Sequence, residues 1–287
     1  MRSLLPVLTV AGAIIALWYV MAVTLNSTWT RDQAERAGTE LTMAEIVRDT
    51  MRQDRPLLPA PHQVFTELWE TTIEKKITSK RSLVFHGWIT LTATVLGFAI
   101  GTMLGILLAV GIVHNRAMDM GVMPWAIASQ TIPILALAPM IIIVLFSIGI
   151  SGLVPKAVIS AYLSFFPVVV GMVSGFRSPD PIQIDLLRTY AATRSQVFWK
   201  LRVPASLPYL FTSLKVGIAA SLVGAIVGEL PTGAVAGLGA RLLVGSYYGQ
   251  TVQIWSALLG CAFLAAMLVG GIGLVERATL RRMGMAR

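Results

Sequence analysis

Six stretches of the chain are apolar for long enough to cross a bilayer, which takes about 20 helical residues. They are residues 4–25, 87–113, 122–147, 158–176, 207–230 and 252–275. Two polar segments interrupt the pattern. In the first, residues 26–86, Thr42-x-x-Glu45 has the form of a capping box and predicts a short helix over 46–51. Pro56, Pro59 and Pro61 then demand extended chain. Val64, Phe65, Leu68, Trp69, Ile73 and Ile77 recur at helical spacing opposite Glu67, Glu70, Glu74 and Lys75. That predicts an amphipathic helix on the outer membrane surface or under the core, either a spacer or a dock for a substrate-delivery protein.

The second interruption is a charged island at 177–204. Asp180 followed by Pro181 reads as an N-cap with proline at the first helical position, and Ile184, Leu187 and Ala191 follow at helical spacing. Thr193-x-x-Gln196 opens a second short helix with Val197 and Leu201 on one face, and Pro204 is expected to stop it. Two short helices joined by a kink would make a knob on the bilayer surface.

The composition agrees with the pattern. With 55% hydrophobic and 13% charged residues and a mean hydropathy of +0.74, the chain is no ordinary soluble domain. The first run could serve as a signal peptide, but it exceeds a typical signal-peptide core and has no convincing small-x-small cleavage site, so it reads as an anchor. The net charge of +9 is not a nucleic-acid footprint, because residues 26–81 hold 9 basic and 9 acidic residues and carry none of it. The excess sits at Arg2, Arg116, the island and the tail 277–287, whereas the connections holding Lys156 and Arg241 are nearly charge-free. Six alternating spans put those basic clusters on one side, so both termini are expected in the cytosol.

Catalytic chemistry is not visible. Cys261 is the only cysteine, and His62, His86 and His114 are scattered, so no cluster has metal-ligand spacing. There is no G-x-x-x-x-G-K-[ST] phosphate loop, so ATP-driven work would need an engine on another polypeptide. Gly97, Gly101 and Gly105 form overlapping G-x-x-x-G motifs, and Gly224 and Gly228 another, suited to packing within the chain or to a dimer interface. Gln130, Thr131, Pro133 and Pro139 would kink the third span, which is tolerated where a span is buried or lines a pathway. Glu229 stands as the one acid deep in a span, either a pathway or gate group or a solvated residue at the outer interface. Lys215 is expected to snorkel to the headgroups.

Asp185-Leu186-Leu187-Arg188, Ala191-Ala192-Thr193 and Val203-Pro204 match in spacing the cytosolic loop of permease subunits of binding-protein-dependent ABC importers, with Asp for Glu, leucines for alanines, and Ala191 for the usual glycine. That exchange argues against a left-handed turn at 191. The run from Gln130 to Pro139 and Gly237-Leu238-Gly239 resemble the nitrate/sulfonate/taurine branch. The resemblance spans about residues 87–282 and gives the insert at 26–60 no counterpart. It implies an all-α, polytopic protein of the type I importer-permease kind. Its parts would be six transmembrane helices with an anchor (1–25), an extracytoplasmic insert (26–86), a core (87–276) and a basic cytosolic tail (277–287).

In that reading the protein is no enzyme and holds no cofactor, and ATP is used by cytosolic ATP-binding subunits. A second permease copy or paralogue and an extracytoplasmic solute-binding protein complete the assembly in the inner membrane. Asp185, Leu187, Arg188, Ala191, Ala192, Leu201 and Pro204 would couple to the ATPase, and Gln130, Thr131, Pro133 and Glu229 would line the pathway or gate. The alternatives, a stand-alone secondary transporter or channel and a membrane-embedded enzyme, lack an acidic relay, an inverted repeat or a catalytic cluster. The absence of cations from the middle of the spans favours a neutral or zwitterionic organic solute.

Overall fold

The computed structural model describes residues 4–231 and 236–284, which form helices and turns without a strand. Twelve α-helices are described: α1 (Leu4–Ala37), α2 (Met43–Thr50), α3 (Pro61–Trp69), α4 (Leu83–His114), α5 (Arg116–Ser129), α6 (Ile134–Ser147), α7 (Leu153–Phe176), α8 (Pro181–Thr189), α9 (Arg194–Val197), α10 (Val203–Glu229), α11 (Leu238–Tyr247) and α12 (Thr251–Arg282). Among the described residues, five helices are long and apolar enough to cross a membrane, and the bent pair α5 and α6 makes a sixth crossing if it is one span. The chain divides into two compact units, 1–86 with 240–261, and 87–239 with 262–287.

In the first unit, α1 continues past its apolar run, which ends at Leu25, and its polar half organises the insert. The buried Asn26 side chain accepts from the backbone N–H of Leu57 (2.8 Å) and Leu58 (3.2 Å) and donates to Leu58 O (2.8 Å). One amide thereby satisfies the extended chain that the prolines dictate. Thr30 donates to Asp49 and accepts from Gln53, tying α2 to the same helix face. The expected capping box is present, with Thr42 N and Oγ1 both donating to Glu45 Oε2. These bonds hold the Glu45 carboxyl below its usual range.

The amphipathic helix is shorter than the pattern predicts. α3 passes into a π-helical turn, Glu70–Glu74, and the chain turns extended at Lys75, so Ile77 lies outside it. Its faces also differ from expectation. Val64 and Thr71 are buried, while Phe65, Trp69 and Ile73 point outward, and Glu67 pairs with Arg241 of α11 at 3.4 Å.

The second unit is built on α7, which is gripped on both sides by glycine faces. A Cβ at Gly97 would lie 2.2 Å from Ser160 Cβ, and one at Gly101 2.2 Å from Ser164 Oγ. Gly224 of α10 approaches the Ser160 backbone as closely, with its Cβ position 2.7 Å from Cα. The small-residue motifs therefore serve packing within the chain, letting backbones meet where lipid supplies no hydrophobic drive. Val168, Val169, Met172 and Phe176 of α7 join Ala109 and Ile112 of α4 and Phe198 in a buried cluster. Gly101→Val should destabilise the protein by several kcal/mol, because the clash includes Ala161 O and Ser164. Gly270→Ala, at a site with nothing within 4 Å, should be silent, and thermal unfolding in detergent compares the two.

Two sequence expectations are corrected here. The third span is not one kinked helix, because α5 and α6 meet at 101°. Pro133, at the N-cap of α6, has no N–H for the Ser129 carbonyl four residues back, and that carbonyl accepts the Tyr162 hydroxyl of α7 instead. Pro204 does not stop a helix either. α9 runs through a π turn, Phe198–Arg202, into α10, and Arg194–Glu229 is one continuous helix. The π turn closes with Val203 N donating to Phe198 O, a local widening that admits the Pro204 ring into the continuing helix.

Candidate functional site

The capping signals read from the island are visible in its geometry. Asp180 Oδ1 accepts from Ile182 N (2.8 Å) and Gln183 Oε1 accepts from Asp180 N (3.3 Å), so α8 starts where the N-cap predicts. Thr193 and Gln196 exchange the reciprocal bonds of a capping box at the start of α9. Between the two helices, Ala191 N donates to Arg188 O (2.9 Å) and Ala192 N to Leu187 O (3.0 Å), the pair of bonds that defines a Schellman ending. Ala191 sits at φ 55°, the one non-glycine with positive φ among the described residues. The left-handed turn that the missing glycine argued against is therefore made by alanine, at a cost of about 1 kcal/mol.

The loop is anchored at both ends. Arg177 pairs with Asp119 of α5 at 2.8 Å. Phe198 is buried, with ring centroids 4.7 Å from His114 and 5.2 Å from Phe176. Sequence reasoning passed over Phe198, whose signal was an aromatic set directly after a capping box in an otherwise charged stretch. Of the expected coupling residues, Leu187, Ala192, Leu201 and Pro204 are half-buried. Asp185 and Arg188 are exposed and pair with each other at 3.0 Å, so the carboxylate has a partner on its own helix. The outward face of α8 is apolar, with Ile182 75%, Leu186 56% and Tyr190 78% exposed at a spacing of four residues.

The expected pathway residues are not gathered in one place. Gln130, Thr131 and Pro133 are exposed at the bend between α5 and α6. Glu229 is wholly buried at the end of α10. Thr90 Oγ1 of α4 lies 2.9 and 3.0 Å from its two oxygens, Gly239 N donates to Oε2 at 2.8 Å, and Lys156 Nζ of α7 is 3.7 Å from Oε1. Lys156 also donates to Ala236 O (3.2 Å), and Leu238 N to Thr90 Oγ1 (2.9 Å). The carboxylate thus holds three helices and the turn that follows α10. Gly237-Leu238-Gly239 has a physical reason here. A Cβ at Gly237, where φ is 131°, would fall 2.2 Å from Glu229 Cδ, and one at Gly239 2.4 Å from Ile226 O.

Glu229 is not solvated, and a second acid, Glu276 near the end of α12, pairs with Lys215. Lys215, near the middle of α10, is thereby paired with a carboxylate of α12. Beside it, α7 and α10 enclose an open groove of ≈ 790 Å³ lined by Phe166, Pro167, Ser174, Tyr209, Thr212 and Val216, among others, and by no charged residue. Sequence reasoning did not find this groove, because its walls come from two helices whose facing sides only packing defines. Among the described residues no cluster of His, Cys, Asp or Glu could hold a metal ion.

The comparisons agree on one family. The family model of the binding-protein-dependent transport system inner membrane component matches residues 101–281. The formylaminopyrimidine transport permease protein ThiX of Halalkalibacterium halodurans is 36% identical over 184 residues, 64% of this chain and 68% of that protein. The riboflavin transport system permease protein RibX of Chloroflexus aurantiacus is 31% identical over 225 residues, 78% of this chain and 80% of that one. Among solved structures, a chain of the inward-facing MetNI methionine ABC transporter shares the fold, with a TM-score of 0.51 and 21% identity over 76% of this chain and 96% of that one. The matched region contains the glycine-gripped α7, the capped island and the buried Glu229, and the chain belongs to the family of inner-membrane permease components of binding-protein-dependent ABC importers.

Proposed function

We propose that this permease forms one half of a pathway for an uncharged heterocyclic solute and takes its drive from a cytosolic ATPase seated on α8. The observation that carries the reading is the apolar stripe Ile182, Leu186 and Tyr190, which stands outward on a loop clamped at both ends by Arg177–Asp119 and by buried Phe198. An apolar face held rigidly away from the protein's own core suits a partner cleft. Closure of two ATP-binding subunits would then draw two such loops together. Because α9 is continuous with α10, movement of the loop would be passed directly to the helix that lines the groove. The loop would face the cytosol, and an extracytoplasmic binding protein would deliver the solute.

The groove sets the chemistry of the cargo. Its aromatic, proline and valine walls with the hydroxyls of Ser174, Tyr209 and Thr212 suit a flat ring bearing hydrogen-bonding groups. Lys215 nearby is neutralised by Glu276, which disfavours a free anion. The relatives named for formylaminopyrimidine and riboflavin point to the same class. Thermal-shift screening of the cognate binding protein tests the class. Stabilisation by pyrimidine-like or larger heterocycles is expected, and a response confined to nitrate or sulfonates overturns it. Thr212→Trp, which fills the groove from an exposed position on α10, should cut uptake several-fold while the ATPase still co-purifies. Unchanged uptake in that variant removes the groove from the pathway.

A further inference from the structure

We propose that α3 is a membrane-embedded interfacial helix, with Phe65, Trp69 and Ile73 immersed at the acyl-chain boundary of the phospholipid bilayer. The basic residues that follow it would take the headgroup phosphates. All three apolar side chains are more than half exposed, and their spacing of four residues puts them on one stripe of the helix and its π-helical continuation. Three arguments choose lipid as the occupant.

The first is depth. The apolar run of α1 ends at Leu25, and Asn26, the first polar residue, holds the backbone of Leu57 and Leu58. The chain then moves back along α1 into its apolar part. Trp18 Nε1 donates to Pro59 O at 3.0 Å, and the Tyr19 ring stacks on His62 with centroids 6.0 Å apart. Eight residues of helix separate Trp18 from Asn26, about 12 Å of rise. The first turn of α3 therefore starts beside a part of α1 that must itself lie within the membrane.

The second is continuity. Only 6% of the most apolar window of α1 is buried within the protein, so its surface is covered by lipid, and α3 begins against that same helix through Tyr19 and His62. The third is charge. Lys75, Lys76, Lys80 and Arg81 follow within a few residues, with no acidic residue from 75 to 81. Aromatic residues backed by a basic cluster form the signature of a helix lying in the interface of an anionic bilayer. Glu67, on another face of α3, is spared contact with hydrocarbon because Arg241 pairs with it.

The test uses the full-length protein with Cys261→Ala, in nanodiscs of phosphatidylethanolamine and phosphatidylglycerol. Single cysteines replace Phe65, Trp69 or Glu74 and carry an environment-sensitive fluorophore. Blue-shifted emission at 65 and 69, quenched several-fold more strongly by doxyl-labelled lipid than by aqueous iodide, is expected, with the reverse at 74. Water-like emission and iodide quenching at both 65 and 69 overturn the proposal. So does emission that turns apolar only when the binding protein is added, which would assign the stripe to that partner. Testing both positions guards against one variant misfolding, and neither outcome depends on which solute is carried.

Discussion

Glu229→Gln is expected to destabilise the protein by about 3–5 kcal/mol, the usual consequence of removing one member of a buried ion pair. Wild-type Glu229 has no exposed surface and accepts from Thr90 and Gly239 while facing Lys156. Glutamine keeps one acceptor oxygen and turns an NH₂ group toward either Gly239 N–H or Lys156, both of which are donors. Lys156 would keep its bond to the Ala236 carbonyl but lose its carboxylate. Lys156→Met alone should also destabilise, because it leaves a buried carboxylate with neutral donors. The double variant should be less damaged than the two losses added together, and that non-additivity is the signature of the pair. Thermal unfolding in detergent measures stability, and solute uptake in vesicles measures function. Uptake that falls with stability makes Glu229 an anchor for the turn at 236–239. Uptake that falls while stability holds makes it a pathway or gate group. Wild-type values of both in Glu229→Gln would remove any role for the cluster.

That cluster marks the limit of what the chain discloses as a string. Glu229 stood out as an isolated acid, and Gly237 and Gly239 as a motif, yet nothing in their spacing says that the glycines exist to let the carboxylate fit. Thr90 and Lys156 are ordinary residues in sequence, and only the packing of α4 and α7 against α10 makes them partners. Signals confined to one turn of helix were legible, as Asp180 with Pro181, Thr42 with Glu45 and Thr193 with Gln196 illustrate, because their partners lie within three residues. Hydrophobic run length was equally legible, because the bilayer enforces it. Run length could not reveal that Pro133 breaks its span by 101°, since the freed Ser129 carbonyl finds its hydroxyl on another helix. Nor could it distinguish a face buried in protein from one turned outward, which is why the apolar residues of α3 were legible as a helix face but their division between buried Val64 and outward Phe65, Trp69 and Ile73 was not.

Reversing the apolar stripe of α8 should release the ATPase without unfolding the permease. In Leu186→Asp/Tyr190→Asp, two outward side chains exchange apolar surface for charge, and since neither is packed within the chain, thermal unfolding of the permease alone should barely change. Across an interface, losing an aromatic anchor costs about 2 kcal/mol or more, which is about thirtyfold in affinity. Recovery of the ATPase with a tagged permease should therefore collapse, and uptake with it. Ala191 supplies the matched controls. Its side chain is exposed and its backbone already left-handed, so Ala191→Arg adds little strain in the free protein and acts only where a partner sits. Ala191→Gly should raise stability by about 1 kcal/mol, since glycine adopts the same φ without the steric penalty. It should also keep the ATPase bound. Equal co-purification and uptake across wild type, the double variant and Ala191→Arg would mean that α8 faces only water and that the drive enters elsewhere. Loss in the double variant with retention in Ala191→Arg would confine the contact to the stripe and leave the turn beyond it free.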